Sequence, residues 1–159
     1  MKIVDRDVVA AHIYSCDGKI FMARNTSPAS GVVYGDCWKI PGGGVELGET
    51  NEQALAREVR EETGIDLAGA HVELVDDSMT GEAEKRLRET NELVLVRMRF
   101  FIYKGTLDKC AAEIPIVLDQ HEFDEYRWFA LPELSLLKLP PPSVECFKKL
   151  GLLGAEYGD

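Results

Sequence analysis

Between Gly43 and Ile65 the chain carries six acidic residues (Glu46, Glu49, Glu52, Glu58, Glu61, Glu62) against two basic ones (Arg57, Arg60), a local charge of −4. Such density is chemically useful only if several carboxylates share a face, and helical periodicity decides that. Thr50 is a good N-cap with Gln53 three positions on, the signature of a capping box, and Gly64 suits a left-handed C-cap. The pattern predicts a helix over 51–63. At about 100° per residue, with Glu58 at zero, Leu55 lies near about 60°, Val59 near about 100° and Ala56 near about 160°, while Glu62 falls near about 40° and Glu61 near about −60°. Glu58 and Glu62 thus flank the apolar stripe. A solvated acidic face is the plain alternative. Against it stand like charges at helical spacing (Glu58 with Glu61 and with Glu62), each pair costing about 0.2–0.5 kcal/mol. Glu61 and Glu62 also occupy the last turn, where the helix dipole disfavours an anion by about 0.3–1 kcal/mol. A purely structural helix would carry lysines there. Three carboxylates gathered at an apolar edge make an oxygen-ligand cation site, and Mg²⁺ or Mn²⁺ fits best.

Something must hold that helix, and the rest of the chain reads as a mixed α/β domain with few helices, in one domain over 1–159. Residues 8–14 and 19–24 read as a hairpin around the turn Ser15-Cys16-Asp17-Gly18, and 25–37 as a polar loop. Trp38-Lys39-Ile40 is a short strand that should stop at Pro41-Gly42-Gly43-Gly44. Beyond the helix, strands are expected at 71–76 and 92–104, with a charged segment at 78–91 between them. A short strand at 114–117, another at 125–130, a turn or short helix from Leu131 and a helix over 143–150 complete the pattern.

Composition excludes several function classes. With 45% hydrophobic residues in 159, the chain is long enough to bury a real core, so disordered and fibrous readings fail. No apolar stretch approaches the ~18–20 residues of a membrane span. Four cysteines (Cys16, Cys37, Cys110, Cys146) show no C-x-x-C and no histidine at metal spacing, so four free thiols are expected. Lys2, Asp5, Arg6 and Asp7 stand where a signal peptide needs an apolar run, and a cytoplasmic location is expected. The net charge of −10 argues against duplex nucleic acid, whose binding requires lysines and arginines to neutralise phosphates. A polyanionic substrate would need a cation between itself and this protein. The sequence does not speak to oligomeric state.

Gly43, Glu49, Arg57-Glu58-Val59, Glu61-Glu62, Gly64 and Ile65 stand as G-x5-E-x7-R-E-U-x-E-E-x-G-U, with U aliphatic, and resemble the Nudix box of the MutT-like hydrolases at every defined position. Trp38, Pro41 and Gly42 before the box, Arg24 at its strand end, and Trp128-Phe129 with Leu131 and Leu134 extend the likeness over most of the chain. The resemblance implies an α/β/α sandwich and metal-dependent cleavage of the diphosphate linkage in a nucleoside diphosphate joined to a further group. It implies Glu58, Glu61 and Glu62 as metal ligands, the Gly42 carbonyl as another, Glu49 as support for the water network, and Arg57 as the arginine that orients the glutamates. The alternative for Arg57 is an exposed pair with Glu61.

Such enzymes often add a carboxylate from a late loop, and Glu122, six residues before Trp128, occupies that place; its alternative is one more exposed acid. Glu58 and Glu122 are the candidate general bases, with His121 third. Arg24 is a candidate phosphate contact, with a surface role as its alternative; Arg97 and Arg99 could meet phosphates or water. Phe21 and Trp38 could stack a base or fill the core, and His12 and His71 are expected to be packed or exposed residues. A small-nucleotide pyrophosphohydrolase of MutT type is favoured, with a nucleotide-sugar hydrolase next and a non-catalytic nucleotide-binding domain as the rival from another class. The proline associated with ADP-ribose cleavage and the array associated with NADH cleavage are missing, and decapping of mRNA would need a basic surface.

Overall fold

Residues 8–14 and 100–103 are apolar at almost every position, the pattern of strands covered on both faces. In the computed structural model, which describes residues 1–29 and 34–158, they lie side by side at the centre of the sheet. The elements run β1 (Lys2–Tyr14), β2 (Ile20–Arg24), β3 (Gly42–Gly44), α1 (Asn51–Thr63), β4 (His71–Arg86), β5 (Leu93–Thr106), β6 (Glu125–Phe129) and α2 (Pro141–Lys149). The sheet order is β4-β5-β1-β2-β6, with β3 added on β1. β1 and β5 are parallel and the other pairs antiparallel, so the sheet is mixed as expected.

Period-two alternation sends the two sets of side chains to opposite layers. Val9, Ala11 and Ile13 of β1, with Phe21 and Ala23 of β2, pack against Ala54, Leu55 and Val59 of α1. Tyr14, Ile20, Met22 and Phe129 face the other way and pack against Phe147 of α2. One helix on each face makes the α/β/α sandwich. Each fully buried Leu, Val or Phe contributes about 1.5–3 kcal/mol, so α1 is held to the sheet by its apolar stripe.

Several expected boundaries shift. The segment 78–91 is mostly strand, because β4 continues to Arg86 and pairs with β5 across register shifts near Asp76. From Glu82 to Arg86 the ribbon is exposed on both faces, so apolar alternation was the wrong signal there. β1 likewise extends back to Lys2 through charged residues. Gly42–Gly44, expected to end a strand, is itself a strand on β1, while Lys39 makes only an isolated bridge to Ala23. The hairpin of β1 and β2 pairs at Tyr14 and Ile20 alone; β2 spends its ladder on β6. The polar loop at 25–37 lies partly outside the described residues. Residues 114–117 are not a strand: Val117 donates its N–H to the Thr63 carbonyl at 2.9 Å and Asp119 to that of Glu62 at 3.0 Å. Those bonds satisfy free carbonyls at the end of α1 and bring the late loop to it.

Candidate active site

The capping box forms as predicted, with Thr50 and Gln53 exchanging bonds, and Gly64 closes α1 at φ 77°. These caps fix the helix in register, and the register sorts its glutamates. Glu61, farthest from the apolar stripe, is exposed; Glu58 is partly buried; Glu62, nearest the stripe, is 4% exposed. Glu62 Oε2 accepts the Gly42 N–H at 3.0 Å, which ties the helix to β3. A Cβ on Gly43 would stand 2.4 Å from the Glu58 carboxyl carbon, so only glycine lets that carboxylate lie against the strand.

Arg57 is the organising cation. Its Nε and Nη2 hold both oxygens of Glu49 at 2.7 and 2.9 Å, its Nη1 reaches Glu58 at 2.9 Å, and Nη2 also donates to the Gly44 carbonyl at 3.2 Å. The exposed pair with Glu61 is its longest carboxylate hydrogen bond, at 3.4 Å. The Arg57 guanidinium and the Glu46 N–H hold the Glu49 carboxyl down to about 2. Both Glu49 oxygens are engaged by Arg57, so Glu49 anchors the arginine. The Arg57 guanidinium is in turn stabilised in its charged form by Glu49 and Glu58.

The late loop is folded onto the same place. Asp119 accepts backbone N–H groups from Glu122 and Phe123 at 3.0 and 2.8 Å, its Oδ1 accepts that of His121 at 3.0 Å, and Phe123 is buried in the core beneath α1. This puts Glu122 and Asp119 beside Glu58 and Glu62. Burial pushes the Glu62 carboxyl up to about 9, reinforced by the charges of Glu122, Glu58 and Asp119 and opposed by the Gly42 N–H. Partial desolvation, Asp119 and Glu58 raise Glu122 as well, while Lys39 lowers it. Four acids therefore crowd one spot with little positive charge to balance them.

The arrangement fits a hard divalent cation by its donor chemistry. The donors are carboxylate oxygens, one of them buried and strongly disfavoured as a bare anion, which is the situation a cation relieves. Among the described residues no three of these carboxylates have oxygens all within 4.8 Å of one another. Mg²⁺ suits such an open set, since it keeps several waters and needs only one or two carboxylates.

The model of the NUDIX domain family matches residues 4–150. The chain belongs to this family. Nudix hydrolases act on nucleoside diphosphate derivatives and generally use divalent metals, and this member is accordingly a hydrolase of phosphoric anhydrides. An RNA pyrophosphohydrolase of Novosphingobium aromaticivorans is 28% identical over 144 residues, covering 85% of this chain and 83% of that protein. One from Gluconacetobacter diazotrophicus is 31% identical over 140 residues, covering 79% and 77%. The fold is similar to that of a MutT protein from Methanosarcina mazei (TM-score 0.61, 23% identity, covering 95% and 96%). It is also similar to that of the Escherichia coli dihydroneopterin triphosphate pyrophosphohydrolase (TM-score 0.62, 24% identity, covering 92% and 96%).

Within this Nudix domain the remaining candidates fall outside the acidic cluster. Arg24 donates to Glu125 at 2.9 Å and stacks over Trp38 at 4.5 Å; the cation that acts on Glu122 is Lys39. His121 is exposed and does not contribute to the shifts of Glu62 or Glu122. Arg97 and Arg99 pair with Asp5 and Asp7. Phe21 and Trp38 are core residues, and His12 is buried against Phe147 with its pKa lowered to about 4 by desolvation. Asp119 and Lys39 are the site neighbours that sequence reasoning missed. Asp119 had a signal, a turn-forming residue three positions before Glu122; Lys39 had none beyond its place before Pro41.

Proposed function

We propose that this chain is a MutT-type pyrophosphohydrolase that cleaves a small nucleoside triphosphate with Mg²⁺ or Mn²⁺, the whole of residues 1–159 acting as one domain. One observation carries the reading: the cluster of Glu58, Glu62, Glu122 and Asp119 shares its glycine wall with an apolar cavity. That cavity, of about 220 Å³, is lined by Gly42, Gly43, Ile40, Met79, Phe100 and Ile102 among others. It is below the roughly 300–1,000 Å³ of pockets that enclose a whole drug-sized ligand, which suits one part of a substrate, the base. Phosphates extending past Gly42 and Gly43 would then reach the carboxylates.

Glu58, Glu61, Glu62, Glu122 and the Gly42 carbonyl are the proposed ligands. A bound divalent cation polarises phosphoryl oxygens and lowers the pKa of water. Glu58 or Glu122 accepts the proton of the attacking water, and Arg57, anchored on Glu49, keeps Glu58 in position. A cytoplasmic location belongs to the same reading and agrees with four free thiols.

The relatives' name supports a second reading, removal of pyrophosphate from the 5′ end of an RNA. The net charge of −10 and the acid partners of Arg24, Arg97 and Arg99 favour the small nucleotide. Phosphate and pyrophosphate release should be measured with Mg²⁺ or Mn²⁺ over ribo- and deoxynucleoside triphosphates, nucleotide sugars, ADP-ribose and a 5′-triphosphorylated oligoribonucleotide. A mononucleoside triphosphate is expected to give the highest kcat/KM. A tenfold advantage for the oligoribonucleotide or a nucleotide sugar would replace the proposed substrate, and silence on the whole panel would favour a binding domain.

A further inference from the structure

Cys16 and Cys110, 94 residues apart in sequence, meet with their sulfurs 3.6 Å apart. Cys16 is in the turn after β1 and Cys110 in the connection after β5, and the parallel pairing of those strands brings their ends together. A carboxylate oxygen of Asp17 joins them. These three ligand atoms all lie within 4.8 Å of one another, the closure that the carboxylates of the active site lack.

The thiols are held in a frame. The Cys16 N–H donates to the Lys109 carbonyl and the Leu107 N–H to that of Tyr14, both at 2.9 Å. The Asp17 carboxylate is held by the Ser15 hydroxyl and by the Ala111 N–H, which donates to Oδ1 at 3.0 Å. Backbone and side-chain bonds thus bracket both cysteines, and the fold holds their backbones side by side.

That separation discriminates between two fates. A disulfide needs sulfurs about 2.05 Å apart, so the pair would have to close by about 1.5 Å. Two thiolates each about 2.3 Å from a tetrahedral ion stand about 3.8 Å apart, close to the spacing found. The donor set of two sulfurs and one carboxylate is softer than the active-site oxygens, and it selects Zn²⁺ over Mg²⁺.

We propose that Cys16, Cys110 and Asp17 form a second cation site, specific for a thiophilic divalent ion, Zn²⁺ foremost. Binding replaces two S–H bonds by two S–Zn bonds and releases two protons to solvent, with no change of oxidation state. The fourth position is left to water. The occupied site fastens the turn between β1 and β2 to the connection that leads on to Asp119 and Glu122. This inference does not depend on the substrate of the enzyme.

The test is a titration of the reduced, metal-stripped full-length protein with Cd²⁺ and Co²⁺ in millimolar Mg²⁺, which occupies oxygen sites without producing a thiolate band. One equivalent of either ion should release two protons and give sulfur-to-metal charge-transfer absorption, with tetrahedral bands for Co²⁺; Zn²⁺ should displace Co²⁺ and abolish its bands with no further change in bound protons. Cys16→Ser and Cys110→Ser should each weaken binding by more than about 100-fold, beyond the loss expected for an outer-shell partner, and Asp17→Asn by about tenfold. All three positions are at least partly exposed, and the melting temperatures of the variants without metal should match the parent. No thiolate band at one equivalent, a band that survives both serine variants, or a Cys16–Cys110 disulfide forming in preference to the complex would overturn the proposal.

Discussion

Two regions of this molecule are rich in charge and solve the problem in opposite ways. Where β1 and β5 run out together, Arg97 stands beside Asp5 at 3.0 Å and Arg99 beside Asp7 at 2.9 Å, each pair in direct parallel register and open to solvent. Each of these four charges has a partner and water to screen it. Around β3 and the end of α1, Glu58, Glu62, Glu122 and Asp119 converge; Arg57 pairs with Glu58, Lys39 acts on Glu122, and Glu62 is taken out of water. Paired, solvated charges cost a fold little and contribute little. Unpaired, desolvated ones are retained at a cost, so the second region is where substitutions should separate function from stability.

The largest effect should therefore come from the acidic cluster. Glu58→Gln, Glu62→Gln and Glu122→Gln are each expected to lower kcat by about 10²–10⁴-fold at saturating Mg²⁺. Glu125→Gln is the control, since its carboxylate is spent on Arg24 and Arg127. Steady-state kinetics decides: Glu122 is an exposed side chain, and a Glu122 variant that behaves like the Glu125 one leaves it no part in catalysis. Next is Arg57→Ala, which frees Glu49 and Glu58 together and should cost about 10–100-fold in kcat or in apparent Mg²⁺ affinity, the range for loss of an outer-shell partner. Arg57→Lys should recover little, because a single ammonium cannot grip both Glu49 oxygens while reaching Glu58.

How far the site was legible in the sequence follows the same division. Local rules fixed α1 to the residue, because Thr50, Gln53 and Gly64 act within one turn of the ends they cap. The helical wheel also ordered Glu61, Glu58 and Glu62 by burial, since angular distance from the stripe is a local quantity. The convergence of Asp119 and Lys39 on Glu122 was not local. It depends on residues 117–119 bonding to the last carbonyls of α1, which no periodicity encodes. The ribbon of β4 was missed for a related reason: beyond the buried Met79, with both faces solvated, nothing in Glu82 to Arg86 needs to alternate. Cys16 and Cys110 are the extreme case, a contact made only by parallel strand pairing.

A smaller effect, on stability, tests the electrostatics without substrate. In the metal-free protein Glu62 holds its proton up to about 9, against an ordinary value of 4.5, so between those values the folded chain binds a proton that the unfolded chain has released. Its contribution to stability is thus undiminished below pH 4.5 and declines as pH rises toward 9. Glu62→Gln keeps an oxygen for the Gly42 N–H and removes the charge, and should stabilise the metal-free protein at pH 8 by at least about 1 kcal/mol. Saturating Mg²⁺ should flatten the pH slope of the parent and leave the variant almost unchanged. Urea melts from pH 5 to 9, with and without Mg²⁺, check this; a destabilised variant would make Glu62 a structural residue.

The smallest effect belongs to the ribbon, and its smallness is the prediction. Arg97 and Asp5 are both at least half exposed, so their attraction is screened by water and by salt. Holding two mobile side chains together also costs conformational entropy, which offsets much of the Coulomb gain. A double-mutant cycle of Asp5→Asn and Arg97→Gln should give a coupling of about 0.2–1 kcal/mol at low ionic strength, falling toward zero in molar salt. Catalysis supplies the second readout. If Arg97 serves only Asp5, both single variants should keep kcat/KM within about twofold of the parent on any nucleotide, whereas a phosphate contact would cost about tenfold or more. A large loss confined to Arg97→Gln, with Asp5→Asn raising activity by freeing the guanidinium, would show that the ribbon reaches the substrate and that its charges are not paired for solvation alone.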